Sequence, residues 1–538
     1  MMGKLKKIGC GLLAALTLLT GTVTAVSCGG SGGGETSSSV SSSVEEKISI
    51  SLSKKIYNIY DEETVALQVN FSINDEEADC ALLNFSSSEP NIATVSDDGV
   101  VTGVSEGRAH ITISYGSKST VATINVTKRI YTITLSDDNV ILPADGMQQI
   151  TAAVVFGEET LQDPVLSWQS SNAAVATVEN GLITAVGLGK ATLSVSYKDT
   201  TVEIPVSVVA ETTAENVNSF DEAYINIYGR SYINGGALNL DHAANGVEVG
   251  IIGTSLSLSL YSGTTNSYMR VFVDGETTGE KISVKAGTNT YTVASELDEG
   301  YHLIRIVKAT EEQHSTWDVK SFTADKFFAV PEKSDFKIEF VGDSITAGYG
   351  LYGVPGETYT VDNSDCAATY AYIAANLLDA DYSVVAFSGI CAKAYHWCSN
   401  INMTTLYDRT SNSNTQAYTQ TVDADVVVVN LGTNEASYLG DGYGGSGYAT
   451  QLPTDYLELL EKVRTKNPDA YIICLYGMMG KDYRVETGIK SAVAAMDEKV
   501  VYNPFTFAPS VAGANGHPTA AAQQDWGEAL AAYIQTLA

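Results

Sequence analysis

From Lys337 onward, short apolar runs alternate with helical stretches, and this alternation constrains the fold more than any other feature of the chain. Largely apolar runs separated by helices are typical of parallel strands that are covered on both faces. The sequence therefore predicts a three-layer α/β domain over residues 334–538, with its site at the carboxyl ends of the strands. Strands are expected at 338–341, 383–387, 425–431, 471–476 and 500–502, and helices at 367–378, 454–466 with Thr454 as a cap, 489–498 and 519–537.

Polar motifs follow three of these strands. Ser344 completes a Gly-Asp-Ser turn after the first strand, Gly389 follows the second, and Asn434 completes a Gly-Thr-Asn turn after the third. A serine directly after a strand exposes its hydroxyl as a nucleophile. A glycine lets a backbone N–H approach a substrate oxygen, and an asparagine amide is a neutral donor to an oxyanion. Each motif alone is equally an N-cap or a turn, so the prediction depends on their occurring together.

His517 follows the last strand and completes the set. Only His396 and His517 occur after residue 334, which leaves few choices for a general base. A helix beginning near Pro518 would fix the backbone of His517 and direct its ring to the strand ends. A purely structural histidine is the alternative, but together with the other motifs His517 is predicted to act as the base for Ser344.

Residues 47–209 contain an internal repeat. The segment Ser-Ser-Glu-Pro-Asn-Ile-Ala-Thr-Val at 87–95 recurs as Ser-Ser-Asn-Ala-Ala-Val-Ala-Thr-Val at 170–178, and each copy continues with a glycine turn and alternating strands. This pattern predicts two small β-sandwiches, at 47–128 and 129–209. Residues 213–330 continue the period-two alternation, which predicts a larger β-sandwich of the jelly-roll type.

The four C-terminal motifs resemble, in order, the sequence blocks of the SGNH hydrolases, and the repeats resemble bacterial Ig-like group 2 domains. With the third sandwich directly before the motifs, residues 213–538 are similar to family 2 carbohydrate esterases of the acetyl xylan esterase type. The segments Tyr228-Gly229-Arg230 and Asp362-Asn363-Ser364 share in this resemblance. It implies a carbohydrate O-acetyl esterase that acts on acetylated polysaccharides or oligosaccharides of the xylan or glucomannan type.

The resemblance also assigns roles to the site residues. It implies that Ser344 is the catalytic nucleophile, that His517 is the catalytic base, and that no cofactor is needed. The oxyanion hole would consist of the N–H groups of Ser344 and Gly389 and the side-chain amide of Asn434. Two alternatives are another SGNH lipase, esterase or cell-wall deacetylase, and a carbohydrate-binding adhesin without catalytic activity.

The acidic residue of a full triad is missing. Many SGNH enzymes carry an aspartate three positions before the histidine, and many family 2 esterases carry it two before; this chain has Ala514 and Asn515 at these positions. The Asn515 amide oxygen or a backbone carbonyl would then orient His517. Trp397, which follows Gly389, is a candidate substrate contact. No metal site is expected, because the cysteines and histidine at 391–398 lack a fourth ligand.

The N-terminus predicts export. Residues 1–28 combine a basic start, an apolar stretch at 8–26 and the pair Ser27-Cys28, which is typical of a secretory signal. The segment resembles a bacterial lipobox, which implies lipidation of Cys28 and a membrane-anchored protein on the bacterial cell surface; simple secretion or an uncleaved anchor is the alternative. Residues 29–46 are rich in Gly and Ser and form a predicted linker.

The chain is strongly acidic, with 31 Lys+Arg against 63 Asp+Glu and a net charge of -32. Such a surface repels polyanions, so nucleic acid is excluded as a partner. Five cysteines follow Cys28, which is an odd and sparse set for this length and does not predict a disulfide framework.

Overall fold

The computed structural model describes residues 46–218, 221–276, 278–418, 423–440, 442, 445–505 and 512–537. The predicted signal with Cys28, and the linker before residue 46, lie outside this part of the chain. Two compact units are present, one extending to Ile133 and including Val154–Pro164, and the other comprising Thr134–Ala153 and the chain from Val165 onward. In the ranges given above, no helix is both long and apolar enough to cross a membrane.

The first repeat folds into short strands that alternate between buried and exposed positions. Gly107–Tyr115 and Lys118–Thr127 form its longest antiparallel hairpin. Alternate residues such as Ile111, Ile113 and Ile124 are fully buried in its core, as the period-two pattern predicts. The other strands are Ile48–Leu52, Ile56–Tyr60, Thr64–Ala66, Val69–Ile73, Glu76–Glu77, Asn84–Ser87, Ala93–Val95 and Val100–Gly103, with a short 3-10 helix at Cys80–Leu82.

The second repeat has the same alternation and continues directly into the next domain. The strand Thr200–Asn218 pairs with Gly189–Tyr197 at its start and with Trp317–Ala329 at its end. One strand therefore belongs to both β-structures. The remaining strands of the repeat are Thr132–Leu135, Val140–Pro143, Met147–Gln149, Ala152–Phe156, Glu159–Thr160, Ser167–Ser170, Ala176–Glu179 and Leu182–Ala185.

Residues 225–329 form an antiparallel β domain around an apolar core that includes Trp317 and Phe322. Its further strands are Ile225–Tyr228, Tyr232–Asn234, Ala237–Leu240, Gly246–Ile252, Leu256–Ser262, Ser267–Val273, Glu280–Val284, Gly287–Ala294 and Tyr301–Lys308. We refer to it as the antiparallel domain.

The C-terminal domain contains a five-stranded, fully parallel sheet, as predicted. Its strands are β1 (Lys337–Gly342), β2 (Asp381–Ala386), β3 (Val426–Asn430), β4 (Tyr471–Leu475) and β5 (Val500–Tyr502), in the spatial order β2-β1-β3-β4-β5. Every residue of β3 is buried, which explains why its sequence has no polar alternation before Asn430.

Helices lie against both faces of this sheet. They are α1 (Tyr370–Leu377), α2 (Met403–Leu406), α3 (Thr433–Gly440), α4 (Gly445–Lys466), α5 (Tyr483–Ala494) and α6 (Ala520–Gln535), with 3-10 turns at Val361–Asn363, Cys366–Ala368 and Ala514–Gly516. Phe340 of β1 packs in one apolar cluster with Trp526 of α6, whereas its neighbour Val341 packs in another with Leu459 of α4. The sheet therefore has a separate core on each face.

All four predicted helices have other bounds in the structure: α1 is Tyr370–Leu377 where the sequence predicts 367–378, α5 is Tyr483–Ala494 where it predicts 489–498, and α4 and α6 also differ. Helix α4 begins at Gly445 and contains Pro453, so Thr454 lies inside the helix and is not its cap. The last helix begins at Ala520, and the Thr519 side chain caps it by accepting a hydrogen bond from the Ala522 N–H.

Arg230 joins the antiparallel domain to the C-terminal domain. Its guanidinium donates to the Glu339 carboxylate at 3.0 Å and to the carbonyls of Tyr407 and Arg409 at 2.8 and 3.0 Å. Both side chains of the ion pair are fully buried. The Tyr-Gly-Arg segment noted in the sequence is therefore a contact between domains.

Candidate active site

Ser344 lies at the carboxyl end of β1, where the strand enters a tight turn. The Asp343 carboxylate accepts a hydrogen bond from the Ile345 N–H at 3.0 Å and so holds this turn. Gly342 is required here, because a Cβ atom would lie 2.0 Å from the Thr346 hydroxyl. Ser344 is only 5% exposed, so a substrate carbonyl must enter the site to contact the Ser344 hydroxyl.

The structure brings His517 to Ser344. The imidazole Nε2 lies 2.8 Å from the Ser344 Oγ. Backbone hydrogen bonds join the loop before α6 to the turn after β1: Ala514 donates to the Gly350 carbonyl and Ala520 to the Leu351 carbonyl, both at 3.0 Å. The two loops are thus fixed to each other by main-chain contacts.

Burial keeps His517 neutral. Desolvation lowers its pKa from 6.5 to about 4, against the opposing effect of the backbone of Asn515 and Ala514. Its Nδ1 is buried and has no partner with hydrogen-bond geometry in the described part of the chain. We therefore regard these backbone groups as close enough to affect the ring but not as hydrogen-bond acceptors for it.

Asn515 does not orient His517 through its amide, in contrast to one of the two predicted alternatives. Its amide nitrogen instead donates to the Tyr349 hydroxyl at 3.1 Å. The reason is local, since Asn515 adopts a left-handed conformation with φ 49°. What contacts the imidazole is the ring of Tyr349, at 4.3 Å between centroids, and Tyr359 stacks behind it at 3.8 Å.

Gly389 lies at the end of β2 with φ 84°, a left-handed conformation that favours glycine. A Cβ atom at this position would lie 2.9 Å from the Trp397 Cβ. Among the described residues, neither the Ser344 N–H nor the Gly389 N–H has a hydrogen-bond acceptor. Both donors remain open to a substrate oxygen.

Asn434 connects the loops that follow β1 and β2. Its amide nitrogen donates to the Ile390 carbonyl at 2.9 Å and lies 3.4 Å from the Asp343 carboxylate. The contact with Asp343 is long for a hydrogen bond. The amide hydrogen of Asn434 on that side is therefore the one that could be donated to a substrate oxygen. Burial raises the pKa of Asp343 and of Glu435, which flank the amide, to about 7.

Trp397 is 65% exposed and follows the loop that contains Gly389. The Trp397 Cβ lies beside Gly389, and the ring centroids of His396 and Trp397 are 4.6 Å apart. The cysteines at 391 and 398 are buried and unpaired. Within the described ranges, no cluster of His, Cys, Asp or Glu side chains could hold a metal ion.

Sequence reasoning missed the contribution of the antiparallel domain to this site. Glu311 accepts hydrogen bonds from the N–H and the hydroxyl of Ser388, at 3.0 and 2.9 Å. The motifs that predict the catalytic groups all lie after residue 334. A run of six polar residues at 311–316, where period-two alternation stops, was the available signal.

A cavity of about 510 Å³ lies away from these residues, at the amino end of the sheet. Its lining includes Lys337 and Asp381, the first residues of β1 and β2. We place the candidate active site at the carboxyl ends of the strands, because the nucleophile, the base and the open donors meet there.

The chain is similar to known families along most of its length. Residues 227–331 match the family described as carbohydrate esterase 2 N-terminal, and residues 340–538 match the GDSL-like lipase/acylhydrolase family. Residues 83–128 match a bacterial Ig-like domain, and residues 130–208 match the bacterial Ig-like domain of group 2.

Curated relatives share the C-terminal part. The chain is 32% identical over 315 residues to the cellulase/esterase CelE of Acetivibrio thermocellus, covering 54% of this chain and 37% of that protein. It is 32% identical over 192 residues to an acetylxylan esterase / glucomannan deacetylase of Cellvibrio japonicus, covering 34% of this chain and 52% of that protein. The chain thus spans about half the length, or less, of these relatives.

A solved structure shows the same pair of domains. A family two carbohydrate esterase from Clostridium thermocellum, in complex with cellohexaose, aligns with a TM-score of 0.52 and 28% identity, covering 58% of this chain and 98% of that one. The similarity therefore extends over the antiparallel domain and the parallel sheet together.

Proposed function

Residues 227–538 carry the two domains of a family 2 carbohydrate esterase, and from that premise we propose that this chain removes acetyl groups from polysaccharides of the xylan or glucomannan type. The enzyme is a serine carboxylic ester hydrolase. The observation that carries the proposal is the 2.8 Å contact between the Ser344 hydroxyl and the neutral imidazole of His517.

The reaction begins when Ser344 attacks the acetyl carbonyl. His517 takes the hydroxyl proton at Nε2, and the imidazolium then donates it to the departing sugar hydroxyl. A water molecule, activated by the same imidazole, hydrolyses the acetyl-serine and releases acetate. A neutral base is needed at the first step, and the low pKa of His517 supplies it over most of the pH range.

The negative oxygen of each tetrahedral intermediate requires hydrogen-bond donors. The N–H groups of Ser344 and Gly389 are open, and the Asn434 amide lies between the ends of β1 and β2. Each such donor typically contributes ~100-fold or more to turnover. These three groups are the oxyanion hole of the proposal.

Trp397 is the substrate contact of the proposal. An exposed indole beside the glycine loop offers a flat apolar face on which a sugar ring can stack. The choice of xylan or glucomannan is supported by the Cellvibrio japonicus relative, which is an acetylxylan esterase / glucomannan deacetylase.

The proposal includes the finer architecture and the location of the chain. The antiparallel domain is a jelly roll, and the C-terminal domain is a three-layer hydrolase, in keeping with its two cores.

Lipid attached at Cys28 anchors the protein outside the cell, and the Ig-like domains act as a stalk. Labelling of cells with a radioactive fatty acid tests the anchor, and its loss is expected in Cys28→Ala.

Acetate release from a panel of substrates tests the activity. Wild-type protein is expected to release acetate from acetylated xylan or acetylated glucomannan much faster than from acetylated cell-wall glycans or lipid esters. Preference for lipid esters would favour another SGNH activity. Binding of the polysaccharides without any acetate release would favour an adhesin and contradict the proposal.

A further inference from the structure

Four consecutive polar residues of the antiparallel domain, Glu311 to His314, reach the C-terminal domain beside the candidate active site. They follow the strand Tyr301–Lys308. Glu311 is 4% exposed, and His314 stacks on Tyr359 at 5.3 Å, which in turn stacks on Tyr349 against His517. The proposed reaction does not by itself use any residue of this segment.

Ser388 is held by this segment through all of its polar groups. Its N–H and hydroxyl donate to the two oxygens of Glu311, and its carbonyl accepts a hydrogen bond from the Gln313 amide at 2.8 Å. The Cys398 thiol donates to the same carbonyl at 3.3 Å. No other element of the described chain contributes a partner to Ser388.

These contacts determine the direction of a candidate oxyanion donor. The Ser388 carbonyl and the Gly389 N–H belong to one planar peptide group, in which they point in opposite directions. Fixing the carbonyl through Gln313 therefore fixes where the Gly389 N–H points. Glu311 anchors the preceding peptide through the Ser388 N–H, so the loop cannot rotate about either side of Ser388.

Glu311 also acts on the base. Desolvation and the backbone of residues 514 and 515 dominate the pKa of His517, and the Glu311 carboxylate adds a rise to it. Among the described residues, Tyr349 also faces the imidazole, through its ring. Glu311 itself lies 3.5 Å from His314, and it also interacts electrostatically with the buried Lys308 ammonium and with Tyr359. A negative charge near the base favours the imidazolium that forms during the reaction.

We propose that the antiparallel domain completes the catalytic site: Glu311 and Gln313 are positioning residues that hold the Ser388–Gly389 peptide as an oxyanion donor. This inference rests on the proposed function of Ser344 and His517. It assigns to the antiparallel domain a role in turnover as well as in folding.

Glu312 provides a matched control. It is the next residue, is 5% exposed, and accepts hydrogen bonds from the N–H groups of Asn412 and Ser413 at 3.0 and 2.5 Å. It thus ties the same segment to a different loop of the C-terminal domain, with the same chemistry. If Glu311 had a merely structural role, Glu311→Gln and Glu312→Gln would have the same effect on kcat.

The test compares full-length wild type, Glu311→Gln, Gln313→Ala and Glu312→Gln. Hydrolysis of 4-nitrophenyl acetate gives kcat, KM and the pH profile, and the rate of labelling by a fluorophosphonate measures the reactivity of Ser344 without any acetyl substrate. Glu311→Gln is expected to lower kcat and the labelling rate on the order of 10- to 100-fold with little change in KM. Its acid limb is expected to move to lower pH, because removing the negative charge lowers the pKa of His517.

Gln313→Ala is expected to lower kcat without moving the acid limb of the pH profile. Glu312→Gln is expected to change neither kcat nor the acid limb. If Glu311→Gln does not fold, Glu311→Asp and Ser388→Ala take its place, with a smaller loss of kcat expected. Equal losses of kcat in Glu311→Gln and Glu312→Gln, or a kcat in Glu311→Gln that matches wild type, would overturn the inference. If wild-type protein is labelled by the fluorophosphonate but releases no acetate, only the proposed function is contradicted. If wild-type protein shows neither labelling nor acetate release, the proposed function and this inference are both overturned.

Discussion

The ring of Tyr349 packs against the imidazole of His517, with centroids 4.3 Å apart and planes inclined by 36°. In a site where Nδ1 has no hydrogen-bond acceptor in the described part of the chain, this contact limits rotation of the imidazole. The Tyr349 hydroxyl faces Asn515 instead. Packing, and not an acid, therefore holds the base toward Ser344.

Removal of the Tyr349 ring is expected to lower kcat. Tyr349→Ala frees the imidazole and should reduce turnover on the order of 100-fold, since small displacements of a catalytic group have effects of this size. Tyr349→Phe keeps the ring and loses only the contact with Asn515, so its kcat should stay near that of wild type. Steady-state kinetics on both variants measure this, and an equal loss in the two would show that the hydroxyl matters instead.

The pH profile should report the buried base. His517 must be neutral to accept the proton, and burial lowers its pKa to about 4. Activity should therefore persist through the range in which an exposed histidine becomes protonated, and should fall only as the pH drops through about 4. The acid limb of kcat/KM measures this pKa in the free enzyme. A limb near the ordinary histidine value of 6.5 would contradict a desolvated base.

Gly389→Ala should impair the reaction for a steric reason. The new Cβ would lie 2.9 Å from the Trp397 Cβ, so the loop must shift and take the Gly389 N–H with it. Loss of one oxyanion donor is expected to reduce kcat ~100-fold. Gly275→Ala is the control, because Gly275 has a φ of 85° close to the 84° of Gly389, and nothing lies within 4 Å of its added Cβ. Equal activities in the two variants would indicate that only backbone strain is involved.

Arg230→Leu should destabilise the two C-terminal domains together. It leaves Glu339 buried without its partner, which typically costs about 3–5 kcal/mol of unfolding free energy. Lys190→Ala is the control, since the Lys190–Asp379 pair is 28% and 64% exposed and should contribute only about 0–1 kcal/mol. Calorimetric transition temperatures compare the variants, and a Tm for Arg230→Leu equal to that of Lys190→Ala would contradict this role.

The parallel sheet could be predicted because its strands are buried on both faces and leave an unbroken apolar signature, as in Val426–Asn430. The residues Ser344 and His517 could be predicted to meet because parallel strands end at the same edge. The start of α4 at Gly445 could not be predicted, because Pro453 lies inside this helix and proline ordinarily interrupts a helix interior. Glu311 could not either, because its partner Ser388 belongs to another domain and no local pattern links them.

The sequence leaves the orientation of His517 between the Asn515 amide and a backbone carbonyl. In the structure the Asn515 amide contacts Tyr349, and the backbone of Asn515 and Ala514 lies close enough to the imidazole to raise its pKa. This outcome depends on a left-handed backbone at Asn515 and on a ring from a distant turn. Neither feature has a sequence signature, because asparagine is common in ordinary turns as well.

Acetate release from acetylated xylan by wild type, Ser344→Ala and His517→Ala tests the central claim most directly. Each substitution removes one side of the 2.8 Å contact, so both should lower turnover by ~1000-fold or more while the fold, followed by circular dichroism, is kept. Folded Ser344→Ala or His517→Ala protein that releases acetate at the wild-type rate would contradict the Ser–His mechanism.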